Sequence, residues 1–184
     1  MDSPNLKSRS LGDRLSVLLA TGCYISLFPT WILNRFSRSK IAQSLQDKKL
    51  TGAGLFGSLQ GAATYYYLPT SWAHSWWSLG LGVSLAIWAS HRAEKVLASH
   101  DDSRIVVDEW IGAWLACWGV GQWITIPFIL AVVFFRLFDV MKGPLGRRLQ
   151  NFRGGWGVCL DDIYAGLAAN LFWRISVGIF NFSH

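Results

Sequence analysis

Four long stretches of this chain carry almost no charge, and they set what it can fold into. Residues 15–34, 50–91 and 110–135 hold no Asp, Glu, Lys or Arg, and 163–184 hold only Arg174. Runs of this kind must be packed together or shielded from water. About 20 apolar residues suffice for one helical crossing of a bilayer, so 15–34 is expected to cross once or to lie in the membrane interface. Residues 50–91 are too long for one helix. Within them Leu68-Pro69-Thr70-Ser71 reads as a turn, which makes the stretch an αα-hairpin. Apolar residues recur at helical spacing, Trp110, Trp114 and Trp118 among them, whereas strand-like alternation is weak. The expected fold is all-α: one compact, membrane-associated bundle with short or broken helices around a carboxylate-lined site.

The third stretch decides the topology. Gly119, Gly121 and Gln122 interrupt it near its middle, and Pro127 follows. Two short helices, roughly 110–118 and 124–138, would return the chain to its starting side. Helices of that length are too short to span, so the expectation is a packed hairpin. Segments 35–49, 92–109 and 136–162 then share one face and hold 13 of the 17 basic residues. The positive-inside rule assigns such a face to the cytoplasm. Gly112, Ala113 and Ala116 lie off the Trp stripe, where small residues admit a neighbouring helix.

Composition narrows the function classes. The chain is 52% hydrophobic with a net charge of +6, which rules out disorder. The positive surplus suits an anionic membrane lipid or a phosphorylated substrate, and no nucleic-acid partner is expected. Cys23, Cys117 and Cys159 are far apart, form no CxxC pair and precede no Arg at six residues. A zinc site, a disulfide framework and cysteine-based phosphatase chemistry are therefore excluded, and the three thiols are expected to be buried small hydrophobes.

Eight of the eleven acids lie between Glu94 and Asp162. Asp108-Glu109 and Asp161-Asp162 each run straight into an apolar helix, and the residues after them echo one another. Helix capping accounts for one acid at each place. A second, adjacent acid is costly beside an apolar core unless a cation compensates it, and a hard divalent ion such as Mg²⁺ takes oxygen ligands. Arg136, Asp139 and Lys142 are spaced by three, as in an intrahelical salt bridge or as a carboxylate flanked by two phosphate-binding cations. Arg147, Arg148 and Arg153 precede Gly154-Gly155-Trp156-Gly157, which is equally an anion-binding loop or a turn. The Gly-rich run at 51–58 is not followed by Lys-Ser/Thr and is no Walker loop, so close packing is its expected role. His100 sits in an acidic cluster with Asp101 and Asp102, as a surface or a catalytic histidine.

Three blocks of the sequence resemble a known family. They are Ile105-Val-Val-Asp108-Glu109-Trp-Ile-Gly112, Phe135-Arg136-Leu-Phe-Asp139-Val-Met-Lys142, and Gly154-Gly155-Trp-Gly157-Val-Cys-Leu-Asp161-Asp162-Ile-Tyr-Ala165-Gly166. In order and spacing they are similar to the phosphatidylglycerophosphatase A family, with weaker similarity at Leu18-Leu19-Ala20 and Gly54-Leu-Phe-Gly57-Ser58-Leu59. The resemblance implies a Mg²⁺-dependent phosphatase in a bacterial-type inner membrane. Such an enzyme removes the terminal phosphate of phosphatidylglycerophosphate and leaves phosphatidylglycerol. It implies one domain over 1–184: an N-terminal apolar segment plus basic insertion (1–49), then a helical core (50–184). The chain departs from the family where Ala53-Gly54-Leu55 replaces Pro-Gly-Thr and where Gly143 follows Lys142.

On this reading Asp108, Asp139 and Asp161 are the expected Mg²⁺ ligands. Glu109 and Asp162 serve as further ligands, as their supporting partners or as a water-orienting base. Arg136, Lys142 and Arg153 bind the phosphate, and His100 or Asp101 protonates the leaving oxygen. Two other classes fit less closely: an inactive relative that binds anionic lipid, and a small cation transporter. Transport favours acids in mid-helix, whereas these acids lie at helix starts and ends.

Overall fold

The structure is a computed structural model and describes residues 10–28, 52–98, 102–121, 125–141, 148, 149, 152 and 154–182, with side chains through 176. Seven helices have both ends among these residues, and no strand is found among them. They are α1 (Leu11–Ala20), α2 (Ala53–Tyr67), α3 (Thr70–Ala73), α4 (Trp76–Leu97), α5 (Val107–Cys117), α6 (Ile126–Met141) and α7 (Gly155–Phe182). The all-α expectation is met, and the break at Leu68-Pro69 does separate α2 from α4. Pro69 caps the single turn of α3, consistent with its fixed φ and missing N–H.

Helix α5 is the centre of the bundle, with nine of its eleven residues buried. It packs against α2, α4, α6 and α7. Small residues make this possible. Gly54, Gly57 and Gly61 form a stripe on α2; a side-chain carbon at Gly57 would lie 2.7 Å from the Val106 carbonyl, and one at Gly61 would overlap that of Trp110. On the opposite side, Ala113 and Ala116 of α5 meet Ala165 and Ala169 of α7, with Phe135 of α6 filling the gap. Backbones in such close contact gain dispersion along their whole length.

The packed hairpin predicted for 110–135 is present as α5 and α6. Helix α5 stops halfway because its last carbonyls find partners on α7. Asn170 Nδ2 donates to Leu115 O, Ala116 O and Trp118 O at 3.3, 3.0 and 2.6 Å. Trp173 Nε1 donates to Ala116 O at 3.1 Å, and Arg174 Nη2 to Trp118 O at 3.0 Å. A helix end inside a bundle needs such donors, since its final C=O groups have no intrahelical partner. This accounts for Arg174, the one charge in the last apolar stretch. Gly119 then takes φ +83°, a left-handed conformation that suits glycine.

The tryptophan stripe is structural. Trp110 Nε1 donates to Thr64 Oγ1, Trp114 Nε1 to Ala73 O, and Trp118 packs edge-on against Trp76.

One expectation gains no support, and a second needs correction. No helix among the described residues is long and apolar enough to cross a membrane, so of the two readings of 15–34 the crossing gains no support; residues 29–34 lie outside the described residues. Helix α1 has only ten residues. The chain then turns over 21–26, where Gly22, Cys23 and Tyr24 all have positive φ. That turn is tied to the approach of α5: Val106 N donates to Ala20 O at 2.7 Å, and Ser26 Oγ to Arg104 O at 2.7 Å. The correction concerns the thiols. Cys117 and Cys159 are buried, but Cys23 is exposed because it lies on this turn.

Candidate active site

One end of the bundle gathers the acids. Asp108 and Glu109 occupy the first turn of α5, Asp162 the second turn of α7, and Asp139 the last turn of α6. One carboxylate oxygen from each of Asp108, Glu109 and Asp162 can be chosen so that all three lie within 4.8 Å of one another. Asp108 and Asp162 are buried, and Glu109 is half-buried. Asp108 Oδ1 and Glu109 Oε2 are buried atoms with no hydrogen-bond partner among the described residues.

Electrostatics follow from this crowding. Burial, then the charges of Glu109 and Asp162, hold the Asp108 carboxyl well above the usual range. Asp162 is raised likewise, first by burial and then by Asp139, Glu109 and Asp161. Glu109 is raised by burial, with Asp139 adding to the effect and Asp108 and Arg136 opposing it. Three carboxyls so placed resist ionising together unless a cation compensates them.

An arginine borders the cluster. Arg136 Nη1 donates to Asp139 Oδ2 at 2.6 Å and to Ser58 Oγ at 3.2 Å. A side-chain carbon on Gly54 would overlap Glu109 Oε1 and lie 3.1 Å from Arg136 Nη2. The start of α2 is therefore a wall of the site.

Of the expected residues, the structure brings together Asp108, Glu109, Asp162, Asp139 and Arg136. Asp161 is buried next to them, but it is not one of the three clustered carboxylates. His100, Asp101, Lys142, Arg147 and Arg153 lie outside the described residues. Gly154 and Gly155 serve close packing: a side-chain carbon on Gly155 would overlap Ile87 O and lie 2.7 Å from His91 N of α4. Gly54 and Ser58 are the residues that sequence reasoning missed as parts of the site. Their signal was present in the glycine spacing of three and seven, which puts one face of α2 on the helix carrying Asp108.

An oxygen-only donor set with two unpartnered buried carboxylate oxygens fits a hard divalent cation. Fold and site define a helical protein built around a carboxylate-lined candidate metal centre. A family model described as phosphatidylglycerophosphatase A matches residues 20–177, and the chain belongs to that family. It is accordingly an enzyme of the phosphatidylglycerophosphatase class. Among its relatives, a phosphatidylglycerophosphatase A of Escherichia coli is 33% identical over 136 residues, covering 70% of this chain and 72% of the relative. A putative phosphatidylinositol-3-phosphatase of Bacteroides thetaiotaomicron is 38% identical over 124 residues, 64% of this chain and 76% of the relative. No solved structure matches the chain.

Proposed function

We propose that this enzyme hydrolyses the terminal phosphate monoester of phosphatidylglycerophosphate to give phosphatidylglycerol, with Mg²⁺ as cofactor. The observation that carries the reading is the cluster of Asp108, Glu109 and Asp162 beside Arg136, in a chain of this family. In this reading Asp108, Glu109 and Asp162 hold the ion, and Asp139 and Asp161 support them. When bound, Mg²⁺ would activate water and neutralise charge on the phosphate oxygens.

The chain's own residues orient the reaction. The Arg136 guanidinium, fixed by Asp139, presents its remaining N–H groups to the phosphate as a planar fork. With one oxygen of half-buried Glu109 on the ion, its other carboxylate oxygen is placed to accept a proton from attacking water. Lys142 and Arg153 as further phosphate cations, and His100 or Asp101 as donor to the leaving oxygen, are proposals that rest on sequence alone.

A lipid substrate requires that the site meet a bilayer. The outward faces of α6 and α7 carry exposed Ile129, Val133, Leu137 and Val140, and Leu167, Leu171 and Ile175. These support seating against lipid at the anionic cytoplasmic surface of a bacterial inner membrane. The inactive lipid-binding relative and the cation transporter are not favoured.

Phosphate release from phosphatidylglycerophosphate by the purified chain, with Mg²⁺ and with EDTA, tests the reading. No release with Mg²⁺ overturns it. Because of the Bacteroides relative, phosphatidylinositol-3-phosphate is the second substrate to assay; preference for it would move the assignment to that lipid.

A further inference from the structure

We propose that Ser58 is a positioning residue for the reaction: its hydroxyl holds the Arg136 guanidinium at the carboxylate cluster and acts through that arginine. The inference rests on the reading of Arg136 as the phosphate-binding group.

Ser58 is fully buried on α2. Its hydroxyl donates to Gly54 O, one turn earlier, at 2.8 Å. A hydroxyl has one proton, so this bond commits it and leaves lone pairs for other donors. Arg136 Nη1 fills that role from α6 at 3.2 Å. Asp139 Oδ2 accepts from the same nitrogen at 2.6 Å. Nη1 is thus gripped from two helices. Asp139 alone, three residues along the same helix, would leave the guanidinium free to swing with α6's own side chains. Gly54 leaves the space beside Nη2 clear, since a side-chain carbon there would come within 3.1 Å of it.

Other serines separate this arrangement from ordinary helix chemistry. Ser84 and Ser176 also donate to the carbonyl four residues back, at 2.7 and 2.9 Å, but both bonds are exposed. Ser58 makes the same bond in the interior and adds a charge-assisted one across to another helix. Charge-assisted bonds are about twice as strong as neutral ones. A serine that merely tolerates its helix would not need the second partner.

The test is a double-mutant cycle on the full-length protein, with Ser58→Ala and Arg136→Ala singly and together. Ser58→Ala is expected to lower kcat/KM about tenfold, the scale of one hydrogen bond to a charged group. It should weaken inhibition by inorganic phosphate by a similar factor. In the Arg136→Ala background the same change should cost less than about twofold, since neighbours acting through one another are non-additive. Equal losses in both backgrounds would assign Ser58 a purely structural role and overturn the proposal, as would unchanged activity and phosphate inhibition in Ser58→Ala. Ser58→Thr and Ser58→Val give a second pair of equal size: the proposal requires retention in Thr and loss in Val. If the wild type releases phosphate from neither lipid, the proposed function fails while Ser58 can still be judged. Calorimetric binding of inorganic phosphate then decides, with weakening in Ser58→Ala supporting the proposal and unchanged binding overturning it.

Discussion

Gly112 of α5 and Gly166 of α7 meet backbone to backbone: a side-chain carbon on Gly166 would overlap the Gly112 carbonyl, and one on Gly112 would lie 2.8 Å from Asp162 O. Each glycine stands four residues after a site carboxylate, Asp108 and Asp162 respectively. The closeness of the helices therefore sets the closeness of the two acids one turn away.

Gly166→Ala should push α5 and α7 apart and open the carboxylate cluster. Overpacking of this kind costs about 1–3 kcal/mol. The expected result is a lowered Tm together with loss of Mg²⁺-dependent phosphate release. A folded variant with full activity would show that the crossing does not set the site.

The two acids of the α7 pair should separate by mutation. Asp108→Asn and Asp162→Asn are each expected to reduce kcat by more than the roughly 10–100-fold typical of residues outside the ligand shell, and Asp161→Asn to fall within that range. In EDTA the first two variants should be more thermostable than the wild type at neutral pH, because each removes a carboxyl whose ionisation is opposed by burial and by its neighbours. Kinetics and thermal melts of the three variants check this.

The pH dependence of stability has a definite sign. Asp108 and Asp162 are raised in the folded protein above the ordinary 3.8, and Glu109 above 4.5. The folded state then holds more protons than the unfolded state above those ordinary values. The stability these groups contribute is complete below about pH 4 and is lost as pH rises through their folded values. In EDTA the Tm contribution should fall with rising pH, and added Mg²⁺ should restore it with an affinity that grows with pH. Melts across pH with and without the ion test both statements; a flat, Mg²⁺-independent profile would contradict them.

The end of α5 should be a stability site rather than a chemical one. Asn170→Leu removes the donor shared by Leu115 O, Ala116 O and Trp118 O. Each carbonyl keeps one other donor (Trp118 N, Trp173 Nε1 and Arg174 Nη2), so the cost is that of the two N–H groups of Nδ2 lost as donors, about 1–3 kcal/mol together. For a chain of this size that is a fall in Tm of roughly 2–12 °C. The KM for the lipid should be unchanged.

Much of this was legible before the structure. Gly119, Gly121 and Pro127 announce the break between α5 and α6, and the paired acids announce a centre. Sequence ranks Asp161 ahead of Asp162 as a ligand, whereas the carboxylate that clusters with Asp108 and Glu109 is that of Asp162; neighbours on a helix differ by about 100° and the phase is set by the crossing. Aligning the two helices by their leading acids favours Asp161. Aligning them by their glycines, four residues on, favours Asp162, as observed. The roles of Ser58 and Asn170 were not legible, since each depends on a partner more than 50 residues away.

The halting of α5 midway has a consequence for how the chain can be made. Residues 68–75 and 118–125 contain no Asp, Glu, Lys or Arg, and the described parts, 68–75 and 118–121, lie at the end opposite the acids. On the proposed lipid-facing reading, sinking that end into hydrocarbon obliges no ionised group of these two connections to traverse the bilayer during biogenesis, and Arg174, which reaches that end on α7, is held by Trp118 O and Asn170 Oδ1. The enzyme could thus be seated after synthesis, without a translocation step for any polar loop between its central helices.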